Sequence, residues 1–141
     1  MPHGDKHGEK RELIAKLSGY STFAKCDKGD VSALVDAGGP FNLPAGWPLV
    51  QEGIPADACY VLVSGTALVF HQREQIAELK EGDVVGEMTL LGGGQRRATV
   101  TTSSRVTGLR IENEALRPVL EKHPKVAEAF RAVYDAHTSA S

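Results

Sequence analysis

From residue 41 to residue 111 the chain never holds one pattern for more than a few residues. Short β-rich runs follow one another at 41–43, 47–50, 60–63, 67–70, 75–79, 98–102 and 106–111. Turn signals separate them: Pro44-Ala45-Gly46, Glu52-Gly53, Ser64-Gly65 and Gly82-Asp83. Strands this short, closed by glycine turns at this spacing, predict an antiparallel sandwich or roll of about eight strands. Fifteen glycines and seven prolines, more than a helix bundle needs, agree with that.

The flanks have a different texture. Residues 1–8 carry His3 and His7 between glycines and read as a flexible tail, with no further ligand nearby to make them a metal site. From Glu9 the pattern is helical, with Leu13, Ile14 and Leu17 on one face until Gly19. A second helix is expected over 28–37, with Val31, Leu34 and Val35 apolar and Asp30 near its positive end. Gly38-Gly39-Pro40 should stop it. Beyond Ile111, Asn113 can cap a helix carrying Leu116, Val119 and Leu120. Pro124 opens another, with Val126, Phe130, Val133 and Tyr134 on an apolar stripe. The expectation is an α+β fold in a single domain over 9–141. It places N-terminal helices at 9–39, an antiparallel β-roll (a double-stranded β-helix) at 40–112 and C-terminal helices at 113–137.

A chain of 141 residues fits one domain with a real core. Its formal net charge of -2 announces no basic face, so direct nucleic-acid binding is not expected. No apolar run approaches membrane-spanning length, and the polar N-terminus has no signal-like apolar stretch. Cys26 and Cys59 lack C-x-x-C spacing and read as two reduced thiols of a cytoplasmic protein. A β-roll can also carry metal chemistry, but that takes two or three histidines and a glutamate from adjacent strands. Here the roll offers only His71, in a polar hairpin, so no catalytic metal is expected. Neither Ser64 nor Cys59 stands in a nucleophile arrangement, and an enzyme is not expected.

The stretch that carries chemistry is 82–100, G-D-V-V-G-E-M-T-L-L-G-G-G-Q-R-R-A-T-V. A strand should end at Val85, Gly86 allows unusual dihedrals, and 87–91 suffices for one helical turn. A glycine loop follows, then Arg96-Arg97, then a strand from Ala98. The amides of a helix start suit an anion, an arginine fork can neutralise a phosphate, and Glu87 can accept a hydroxyl proton. Together they suit a ligand bearing both a phosphodiester and a ribose hydroxyl. Gly-Glu followed by Arg-Arg is equally what surface salt bridging on a long loop would give.

This stretch resembles the phosphate-binding cassette of the cyclic-nucleotide-binding domain family. That family includes the catabolite activator protein, the protein kinase A regulatory subunit and cyclic-nucleotide-gated channels. Gly86-Glu87-Met88-Thr89-Leu90 matches the first half of the cassette, with Val85 where the family has Phe, and Arg96-Arg97-Ala98-Thr99-Val100 matches the second. Leu79, Gly82 and Asp83 fit the approach to it. Leu43-Pro44-Ala45-Gly46, Glu52-Gly53, 60–63 and Ser64-Gly65 fit the family's earlier strands, so the likeness covers about residues 12–130.

The resemblance implies that Glu87 accepts the ribose 2′-hydroxyl and Arg96 pairs with the cyclic phosphate. Gly86 and the amides of Met88, Thr89 and Ala98 would line the sugar-phosphate site, beside Thr99. A slide of one residue makes Arg97 the phosphate ligand instead. Neither Arg97 nor Ala98 supplies the short hydroxyl that family members preferring cyclic GMP place after the phosphate arginine, so cyclic AMP is the expected ligand. Tyr134, on the last helix, can stack on the base, although Phe130, Val133 and Tyr134 can equally pack on the roll. The family's transcription factors continue into a DNA-binding helix-turn-helix, which this chain does not contain; the expectation is a stand-alone sensor or a fragment of something longer. The alternative is a β-roll that has lost its ligand and serves as an interaction or dimerisation scaffold, with Val126, Phe130 and Val133 as the interface.

Overall fold

The computed structural model describes residues 6–92 and 98–139. Two helices lead in: α1 (Lys6–Ser18) and α2 (Lys28–Ala37), joined through a 3-10 turn at Ser21–Phe23. Six strands follow: β1 (Gly39–Leu43), β2 (Pro48–Val50), β3 (Ala58–Ser64), β4 (Ala67–His71), β5 (Glu74–Leu79) and β6 (Val84–Val85). The short helix α3 (Glu87–Gly92) precedes β7 (Thr99–Thr102) and β8 (Val106–Glu112). Helices α4 (Asn113–Lys122) and α5 (Pro124–Ser139) close the chain.

The strands form two four-stranded antiparallel sheets, ordered β1-β8-β3-β6 and β2-β7-β4-β5. Each sheet takes strands from both ends of the roll, and among the described strands only β4 and β5 pair as sequence neighbours. The helices pack on the outer face of the first sheet. Val61, Val84, Leu109 and Ile111 face Leu17, Phe23, Leu34, Leu116, Val126 and Phe130 in one cluster. Their neighbours Leu62, Val85 and Val106 point the other way, joining Leu49, Val50, Ala67 and Val100 between the sheets. Successive side chains of a strand point to opposite faces, so the first sheet is apolar on both.

Several local expectations change. The α1 helix begins at Lys6, so residues 6–8, expected in the tail, are helical. Gly39 and Pro40, expected to end α2, already belong to β1, where Gly39 pairs with Arg110 and Pro40 with Leu109. Asn113 does not cap α4; Glu112 holds that position. The Asn113 side chain instead donates to the Ala56 carbonyl at 2.9 Å, fastening the β2–β3 loop. The proposed scaffold interface is consumed internally: Val126 and Phe130 are both 0% exposed in the chain's own core, and Val133 packs against it.

Contacts from the N-terminal helices brace both ends of the molecule. Asp27 and Asp30 form a reciprocal capping box at the start of α2. Asp30 also meets His123 Nδ1 at 2.9 Å, at the junction of α4 and α5. The Asp27 amide and the His123 hydrogen bond hold the Asp30 carboxyl below its usual range. Beside it, burial and the neighbouring carboxylates push the Cys26 thiol upward. Neither Cys26 nor Cys59 is in a disulfide. In the other direction, Thr22 Oγ1 donates to the Gly82 carbonyl at 2.9 Å and Tyr20 donates to Glu81 at 2.9 Å. These two bonds pin the turn that leads into 82–100.

Candidate functional site

The 82–100 segment starts from a tightly held turn. The Lys80 amide donates to Asp83 at 2.8 Å, and the Gly82 amide donates to Leu62 at 2.8 Å. Strand β6 then pairs with β3, Tyr60 opposite Val85 and Val61 opposite Val84. At Gly86 the backbone turns out of the sheet with φ +95°, and an added Cβ would lie 2.4 Å from the Ala58 carbonyl oxygen. Only glycine combines that dihedral with that approach. The expected end of the strand at Val85 and the expected helical turn from Glu87 are both present.

Glu87 heads α3, and its side chain is wholly buried. A surface salt bridge on a loose loop is therefore not what this carboxylate makes. Oε2 accepts a hydrogen bond from Nδ1 of His137 on α5, at 2.7 Å. Oε1 is buried and has no hydrogen-bond partner among the described residues. A carboxylate oxygen withdrawn from water without a donor is expensive, and native proteins leave few such atoms. Leu90, one turn on, anchors α3 in the helical cluster, and α3 packs against α5.

Met88 is half-buried, and Thr89 lies within the α3 backbone. Ala98 is half-buried just ahead of β7. Thr99 Oγ1 accepts from the Glu52 amide at 3.0 Å, so the hydroxyl of one motif residue fixes the backbone of another. Gly86, Glu87, Met88 and Thr89 are thus brought together at the β6–α3 turn. Arg96, the expected phosphate ligand, and Arg97, its alternative under a slide of one residue, lie outside the described residues. Tyr134 is partly buried on α5 with the Arg131 guanidinium 5.2 Å from its ring centre. Phe130 is paired with Phe23 at 6.4 Å in the core and does not serve as a lid.

His137 is the residue that sequence reasoning missed. It continues the spacing of Val126, Phe130 and Val133, which puts it on the packed face of α5. A cavity of about 210 Å³ also opens beside β2 and β3, lined by Leu49, Val50, Ile54, Asp57, Tyr60 and Arg110 among others. Its lining includes none of the described cassette residues. Among the described residues no three His, Cys, Asp or Glu side chains gather as a metal site, and no helix is long and apolar enough to cross a membrane.

Roll, glycine turn and buried carboxylate define a β-roll module with helical flanks and a shaped polar site. The family model of the cyclic nucleotide-binding domain matches residues 40–123, and the chain belongs to that family. Among curated relatives, a cAMP-dependent protein kinase regulatory subunit of Aspergillus fumigatus is 31% identical over 94% of this chain and 30% of its own length. A cGMP-dependent protein kinase of Toxoplasma gondii is 33% identical over 79% of this chain and 11% of its own. The chain therefore spans less than a third of either relative. Among solved structures, the regulatory domain of Toxoplasma gondii PKA with cAMP superposes with TM-score 0.82 at 14% identity, over 94% of this chain and 51% of that one. At that identity the likeness speaks to the fold.

Proposed function

We propose that this domain is a non-catalytic sensor that captures cyclic AMP in the β-roll and passes occupancy to its C-terminal helices. One observation carries the reading. Glu87, in the cassette sequence, is wholly buried and holds one carboxylate oxygen without a donor among the described residues. A ribose hydroxyl is the kind of donor that oxygen lacks. Gly86 supplies the turn that presents the α3 amides, and Arg96 stands in sequence where the family's phosphate arginine stands. The choice of cyclic AMP over cyclic GMP rests on Arg97 and Ala98, neither of which offers a short hydroxyl. A regulatory subunit among the relatives whose name specifies cAMP supports the same choice, while the cGMP-dependent kinase makes the comparison necessary.

A ligand acts on the helices only through its different affinity for their arrangements. The packing of α3 against α5 gives it the contact to do so. The test is a thermal-shift and titration panel of cyclic AMP, cyclic GMP and their linear monophosphates. Cyclic AMP at 100 times its Kd should add ~2.7 kcal/mol of stability. A flat response to every cyclic nucleotide would overturn the reading. Arg96→Ala should weaken cyclic AMP by roughly 30- to 1000-fold, the loss of a desolvated charge partner.

A further inference from the structure

We infer that His137 is a positioning residue of the nucleotide site, holding one oxygen of Glu87 from the end of α5 so that the other faces the ligand. The inference rests on the nucleotide reading above and concerns what ties the site to the last helix. The two carboxylate oxygens of Glu87 have different fates. Oε2 takes the His137 N–H at 2.7 Å, and Oε1, equally withdrawn from water, takes nothing among the described residues. A carboxylate with one oxygen fixed has its plane set, so the second oxygen points one way. A hydroxyl arriving at Oε1 leaves the His137 bond in place. The result is a chain from ribose hydroxyl through Glu87 to His137. His137 is half-buried where Glu87 is wholly buried, so the bond forms only while α5 lies against α3. Ligand and docked helix thus strengthen each other through one shared carboxylate.

The opposite arrangement, in which His137 occupies the place of the ligand, would need the ligand to use Oε2. It would then leave Oε1 still without a donor. The unequal state of the two oxygens favours the bridge over that competition.

The experiment compares wild type, His137→Ala and His137→Asn, whose amide can place a donor near the position of Nδ1. Each is titrated with cyclic AMP and with 2′-deoxy cyclic AMP, after circular dichroism has established that it is folded. His137→Ala should bind cyclic AMP about tenfold more weakly, the scale of one charge-assisted hydrogen bond, and His137→Asn should recover part of the loss. The penalty for removing the 2′-hydroxyl should be smaller in His137→Ala than in wild type, because the residue acts through the same carboxylate. A histidine that merely stabilised the fold would leave that penalty unchanged. Tighter binding by His137→Ala, or equal 2′-deoxy penalties in wild type and variant, overturns the inference while the nucleotide reading stands. Wild type that binds neither cyclic AMP nor cyclic GMP overturns both.

Discussion

Gly86 and Glu87 are adjacent residues with opposite requirements, one for the absence of a side chain and the other for a buried one. At Gly86 the left-handed backbone and the Ala58 carbonyl both refuse a Cβ. Gly86→Ala is expected to lower stability by about 2–3 kcal/mol, read as a fall in the urea midpoint at unchanged slope. Glu87→Gln keeps an acceptor and the side-chain volume. Its cyclic AMP affinity should fall by roughly 5- to 30-fold, the equivalent of ~1–2 kcal/mol, in the same titration. Both residues were legible in the sequence, because a glycine before a carboxylate at the end of a β-run is a local pattern. The contact between Glu87 and His137 was not, since it joins residues fifty positions apart and nothing in the spacing of α5 says which carboxylate it meets.

At the scale of elements, α2 is the brace that connects the start of the chain to the junction of α4 and α5. Its first turn depends on the capping box, and Asp27→Ala should cost about 1 kcal/mol in thermal or chemical unfolding. Asp30 gives the same turn a dependence on acid. Its native carboxyl sits below the ordinary value of 3.8, so folding favours the ionised form. That contribution is complete at neutral pH, shrinks as pH falls past the ordinary value, and is gone below the lowered native one. Asp30→Asn should therefore be less stable than wild type at pH 7, by about 1.5–3 kcal/mol for hydrogen bonds to a charged group, with the difference shrinking as pH falls below the ordinary carboxylate value. Asp30 was legible at the positive end of the helix but Asp27 was not, because the residue three positions on is an aspartate where the usual capping box has Glu or Gln. The short 3-10 turn at Ser21–Phe23 was also invisible. It exists because Phe23 is drawn into the core against Phe130, a tertiary cause with no local signal.

For the whole molecule, the α+β order and the roll were readable because turn glycines mark strand ends wherever the strands go. Which strands pair was not readable: β1 with β8 and β2 with β7 are closures across most of the roll, decided by how two sheets cover each other. The helical cluster hangs on large residues from both termini. Phe130→Ala should cost about 3–5 kcal/mol, with hydrogen exchange accelerating in α1 and α5 before it does in β4 and β7. The sheet β1-β8-β3-β6 stands between that cluster and the space inside the roll. Val84 touches one side and Val85 the other. The partition is one polypeptide layer thick, and β6 spans just two residues of it. If the proposed nucleotide seats inside the roll, a push on Val85 turns Val84 as well, and the wall adds its own signal to the bond between Glu87 and His137.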